Sequence, residues 1–132
     1  MDATRLEQVC RRYNVALLVQ FGSTVSGNVH EHSDLDLAAL VGGDPASRDA
    51  RIDLYVDLAP LFPGRDVDLA LINTADPLFL KKILEHGRLL YGSSRRFAEL
   101  RVYAYRRYQD HKRFLAVERR YVKRMLETGA AR

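Results

Sequence analysis

The stretch Phe21-Gly22-Ser23-Thr24-Val25-Ser26-Gly27-Asn28-Val29-His30-Glu31-His32-Ser33-Asp34-Leu35-Asp36-Leu37 governs the reading of this chain. It sets a Gly-Ser pair straight after an apolar run. Ten residues later, a second apolar run opens on two aspartates in alternate positions. Glycine lets a backbone approach phosphate, the Ser23 hydroxyl can donate to it, and amides at a helix N-terminus point outward. Aspartates two apart on a strand share one face, with Cβ atoms ~7 Å apart. Two anions about 6 Å apart repel by roughly 2–3 kcal/mol at an effective dielectric near 20. Such a pair calls for cations, so the stretch points to phosphate and metal chemistry.

The flanking elements follow from periodicity. Val15 to Phe21 is a continuous apolar run, as expected of a strand covered on both faces. The polar segment 24–33 is expected to make a short helical turn and then a loop. Asp34 to Val41 is the second strand, closed by Gly42-Gly43. Asp44-Pro45 reads as an N-cap and first helical residue, leading into a helix whose expected buried stripe is Ile52, Tyr55, Val56, Ala59 and Phe62. Val67 to Ile72 is a third strand carrying Asp68. Strand interiors are depleted in aspartate, so Asp34, Asp36 and Asp68 in or at the mouths of apolar strands form an unusual set.

Towards the N-terminus, Thr4-Arg5-Leu6-Glu7 has the form of a capping box, and Leu6, Val9, Cys10 and Tyr13 make a helical stripe over residues 4–13. Towards the C-terminus, Asp76-Pro77 caps a short helix with Phe79, Leu80, Ile83 and Leu84 as its apolar face and Gly87 in the C′ position. Leu89 to Tyr91 is a last short strand. Residues 95–127 lack Gly and Pro and read as one long helix, or two with a break at Gln109-Asp110-His111. The alternation predicts an α/β fold: a small mixed β-sheet with flanking helices and a C-terminal helical tail.

Composition bounds the rest. The chain has 132 residues, 47% of them hydrophobic and 29% charged, as expected of one ordinary globular domain. No apolar run approaches the roughly 18 residues of a membrane helix, and no signal-peptide core opens the sequence. Cys10 is the only cysteine, which excludes an internal disulfide and fits a reducing cytoplasm. Its place on the first helix's apolar stripe marks a buried structural thiol. The net charge of +4 is uneven: residues 1–93 carry nine Lys/Arg against thirteen Asp/Glu, residues 94–132 twelve against four. The expected division is a working domain over 1–93 and a basic, Tyr/Arg-rich helical tail over 94–132. That tail suits a solvated helix or a partner-binding surface equally, and direct nucleic-acid binding less well. His30-Glu31-His32-Ser33-Asp34 has the outline of a zinc motif, but no further histidine stands at supporting spacing. His30 and His32 are expected at the rim of a nucleotide site.

Gly22-Ser23 followed at ten residues by Asp34-Leu35-Asp36 resembles the signature of the nucleotidyltransferase superfamily that includes DNA polymerase beta. The short length, Asp68 within Val67-Asp68-Leu69, and the runs from Asn73 to Leu78 and Gly87 to Tyr91 are similar to its minimal nucleotidyltransferase (MNT) branch, over about residues 14–92. The resemblance implies that Asp34 and Asp36 ligate two Mg²⁺ ions, that Asp68 is a further ligand or the base for an acceptor hydroxyl, and that Gly22 and Ser23 hold the β- and γ-phosphates of ATP. It further implies an antitoxin of a type VII pair that transfers AMP to a tyrosine of a HEPN-domain toxin, in a homo- or hetero-oligomer. This chain has Ser26 where such proteins often carry a basic residue. Two alternatives accompany that expectation: an antitoxin that neutralises by contact through the tail, and nucleotidyl transfer to a small molecule.

Overall fold

A computed structural model describes residues 1–22, 25, 34–43 and 48–130. The expected Asp44-Pro45 cap, the turn and loop of segment 24–33 other than Val25, and Ser26, His30 and His32 lie outside the described residues. The elements run α1 (Ala3–Arg12), β1 (Val15–Phe21), β2 (Leu35–Val41), α2 (Arg48–Leu58), β3 (Val67–Leu71), α3 (Pro77–Glu85), β4 (Arg88–Gly92) and α4 (Ser94–Ala130), with single 3-10 turns at Ala59–Leu61 and Ile72–Thr74. The four strands form one sheet in the order β3-β2-β1-β4. β1 pairs antiparallel with both β2 and β4, whereas β2 and β3 are parallel. The sheet is therefore mixed, as the sequence predicts.

Strand alternation splits the core in two. One face of the sheet packs Leu35, Leu37, Ala39, Val67 and Leu69 against Leu6 and Cys10 of α1 and Leu54 and Leu58 of α2. The other packs Val19, Phe21 and Ala38 against Leu80, Ile83 and Leu84 of α3 and Phe97 and Ala104 of α4. Burial pushes the Cys10 thiol up to about 12, so it stays protonated and unreactive.

Local details differ from expectation in three places. The α1 cap is Asp2, whose carboxylate accepts from the Thr4 and Arg5 amides at 3.0 and 3.3 Å; an anion there also meets the positive helix end, which a threonine cannot do. In α2 the stripe at Ile52, Tyr55 and Val56 faces outward, with exposures of 48, 41 and 57%, while Leu54 and Leu58 are buried. Both sets repeat at helical spacing, and the sheet accepts the pair of leucines. Finally, α4 runs unbroken for 37 residues through Gln109-Asp110-His111. None of those three costs a helix more than a few tenths of a kcal/mol to about 0.7 kcal/mol.

Gly87 follows the α3 C-cap His86 as expected. The need for glycine there is space rather than a left-handed backbone, since an added Cβ would run into the Ile83 carbonyl and the Val19 side chain. The open α3 carbonyls are met from α4. Arg101 donates to the Leu84 carbonyl at 3.0 Å and the Gly87 carbonyl at 2.9 Å, with its guanidinium over the Phe97 ring. The long helix α4 starts at Ser94, and Phe97 and Ala104 in its first turns complete the core. Arg101→Ala is expected to destabilise the fold by about 1–3 kcal/mol, because it strips a charged donor from two carbonyls. Urea denaturation measures this; Arg107→Ala, which removes only a 3.2 Å contact to Tyr103, should change little.

Candidate active site

The pairing register builds a row across the sheet. Phe21 on β1 stands opposite Asp36 on β2, and Asp36 stands opposite Asp68 on β3. Residues in register share a face, so both carboxylates lie on the α3 side. There they line a cleft of about 450 Å³ with Phe21, Gly22, Ala70, Phe79 and Lys82. Phe21 and Phe79 meet edge to face, with ring centroids 5.9 Å apart, and give the cleft an apolar wall.

Gly22 turns the chain out of β1. Its φ of +80° lies in the left-handed region, and its carbonyl accepts from the Val25 amide at 3.2 Å. A Cβ at this position would collide with Oδ2 of Asp36. Glycine is needed twice over, for its backbone and for its contact with the carboxylate.

The electrostatics of Asp36 follow from that setting. Partial burial holds its carboxyl above the usual carboxylate range, and the charges of Asp68 and Asp34 push it further, while Lys82 pulls it back. Lys82 makes no ion pair with any described residue, which leaves an uncommitted ammonium in a cleft that also holds two carboxylates. It was not among the residues singled out from sequence. The only local signal is the Lys81-Lys82 pair on α3, and there Lys81 turns away to Glu85 and over the Tyr108 ring.

Of the residues expected from sequence, Gly22, Asp36 and Asp68 come together. Asp34 lies one residue before β2, exposed and outside the cleft lining, though its charge reaches Asp36. Ser23 lies outside the described residues. No three Asp, Glu, His or Cys side chains among the described residues are placed to hold a metal on their own. Two hard, in-register carboxylates in an open cleft suit an ion such as Mg²⁺, which keeps waters and takes substrate phosphate oxygens. A cation there would also relieve the repulsion that raises Asp36.

The family described as "Polymerase beta, Nucleotidyltransferase" matches residues 4–96. Protein adenylyltransferase MntA of Shewanella oneidensis is 32% identical over 77 residues, which span 58% of this chain and 54% of that protein. The chain therefore matches about half the length of that curated relative. A crystal structure of a toxin-antitoxin with AMP-PNP superposes with a TM-score of 0.72 at 25% identity, over 96% of this chain and 99% of that one. A structure of tri-AMPylated Shewanella oneidensis HEPN toxin in complex with MNT antitoxin gives 0.65 at 23% identity, over 95% of each chain, a likeness of fold. The matched residues 4–96 take in Gly22, Asp36, Asp68 and Lys82. No helix among the described residues is long and apolar enough to cross a membrane.

Proposed function

The chain belongs to the polymerase beta nucleotidyltransferase family, and from that premise we propose that it transfers AMP from ATP to a tyrosine hydroxyl of a HEPN-domain toxin, acting as the antitoxin of that pair in the cytoplasm. The observation that carries this reading is that Gly22, Asp36 and Asp68 share one cleft with Lys82, which makes no ion pair with any described residue. The acceptor oxygen forms a bond to the α-phosphorus as the bond from that phosphorus to pyrophosphate breaks, and the hydroxyl proton passes to Asp68. Gly22 lets the triphosphate approach the backbone, Lys82 meets its negative charge, and Ser23 is assigned to the same phosphates by its place in the sequence alone. Asp36 and Asp68, the two carboxylates that share the cleft, would hold Mg²⁺ together with substrate oxygens and waters, and the ion when bound neutralises charge on the transferring phosphate.

A second reading rests on a separate observation. Beyond the domain, α4 exposes Phe114, Leu115, Val117, Tyr121, Val122 and Leu126 among basic residues, a surface on which neutralisation by contact alone would depend. One experiment separates the two. ATP labelled at the α-phosphate is incubated with the full chain, Mg²⁺ and its HEPN-domain partner, and both label on the partner and toxin neutralisation are scored. Enzymatic neutralisation requires label on the partner. Neutralisation that persists unlabelled, and that is lost on Leu115→Asp with Val122→Asp, establishes the contact reading instead. In the same assay Lys82→Ala should raise KM for ATP about tenfold, the loss of one charge-assisted phosphate contact, and Lys82→Arg should restore most of it.

A further inference from the structure

β3 is an edge strand, and among the described residues no strand pairs with its outer side. The Leu35 amide donates to the Asp66 carbonyl at 2.7 Å. The backbone groups of Asp66, Asp68 and Ala70 therefore point towards β2, and strand alternation turns those of Val67, Leu69 and Leu71 outward. Beside this edge lies a groove of about 340 Å³ lined by Arg51, Ile52, Tyr55, Val67, Asp68 and Leu69. Its helical wall is the α2 stripe that the sheet leaves exposed. Asp68 lines this groove and also the cleft that holds Asp36, Gly22 and Lys82.

We propose that the β3 edge and the Arg51/Ile52/Tyr55 groove form the acceptor site, where an extended segment of the acceptor protein adds as a fifth strand with its hydroxyl-bearing residue opposite Asp68. This rests on the transfer reading given above and says where the acceptor sits. Register carries the geometry. A residue paired with Asp68 on a new outer strand shares its face, extending the row Phe21, Asp36, Asp68 by one position. Its Cβ would stand about 4.5–5.5 Å from that of Asp68. The hydroxyl then enters from the Asp68 side, opposite the Gly22 end of the cleft, which is the separation that in-line displacement needs. The two residues flanking the hydroxyl-bearing one point to the other face, onto Ile52 and Tyr55. The segment is therefore extended, with apolar residues on both sides of the modified one. Main-chain pairing supplies affinity and the two flanking contacts supply selectivity.

The test uses the full chain, the HEPN-domain protein as acceptor, and an ATP analogue that cannot release pyrophosphate. Hydrogen exchange should show the Val67, Leu69 and Leu71 amides becoming protected when the acceptor is added. With labelled ATP, Ile52→Asp with Tyr55→Asp should lower kcat/KM for the acceptor about tenfold or more, leaving ATP affinity unchanged. Val56→Asp, equally exposed on α2 but outside the groove, should leave transfer at its original rate. Unaltered β3 exchange on adding the acceptor overturns the proposal, as does unaltered transfer by the double variant. If the wild-type chain transfers no label, the transfer reading falls by itself. The exchange result then decides the β3 edge alone: protection keeps it as the partner's docking site, and no protection removes it.

Discussion

Asp36→Asn is expected to lower AMP transfer by about 10³-fold or more while leaving the folded protein more stable, not less. The two effects share a cause. Burial, then the charges of Asp68 and Asp34, hold the Asp36 carboxyl above its ordinary value, and Lys82 offsets this only in part. A carboxyl raised in the folded state binds more protons folded than unfolded between its ordinary and raised values. Stability from this group is therefore greatest at acidic pH and is lost as pH rises through that window. Above that window the ionised Asp36 works against the fold, and asparagine removes that penalty while keeping the shape. The same substitution removes the charge that would balance a cation against the substrate phosphates. Urea midpoints measured without Mg²⁺ or nucleotide should be higher for the variant near neutral pH, with the advantage shrinking as pH falls towards about 4, the ordinary carboxylate range. A lower midpoint would mean that the carboxylate supports the structure, and retained transfer would remove Asp36 from the chemistry.

Gly22→Ala is expected to lower transfer by about 10²-fold or more at a stability cost of only about 1–2 kcal/mol. The backbone cost comes from φ of +80°, which alanine adopts reluctantly. The functional cost comes from the new Cβ, which would displace the Asp36 carboxylate from its place opposite Asp68. Because Oδ2 is the free end of a short side chain, the fold yields where the site cannot. Gly43 is the matching control. Its φ is +85°, yet an added Cβ would meet nothing within 4 Å. Gly43→Ala should therefore show a similar loss in melting experiments and full transfer activity. Equal activity in the two variants would remove the steric part of this account.

Most of the sheet was legible from residue order alone. Apolar runs bounded by Gly, Pro and Asp give the strands and α3, because burial on both faces leaves little choice of side chain. The face of α2 was not legible. Ile52, Tyr55 and Val56 repeat as well as Leu54 and Leu58 do, and spacing cannot say which set meets the sheet. That misreading has a consequence, since the stripe left exposed is the one that walls the β3 groove. Lys82 was also hidden. A lysine on an amphipathic helix is usually a solvated residue, and its relevance depends on α3 crossing the sheet beside Asp36.

Period-two alternation within Asp34-Leu35-Asp36-Leu37 puts Asp36 on the face opposite Leu35 and Leu37 whatever the strand pairs with, and the turn at Gly22 follows from the residue types around it. Whether carboxylates far apart in the chain form a site is a matter of pairing. Asp36 and Asp68 meet because β2 and β3 run parallel in a register that sets them opposite each other. Phe21 and Gly22 reach them because β1 lies on the other side of β2. A shift of one residue in the register of β3 would turn Asp68 to the opposite face and bury it among Leu35, Leu37 and Leu54. Alternation is a property of one strand's own geometry, whereas register is settled between strands, by burying Val67 and Leu69 on one face and leaving Asp68 in the cleft.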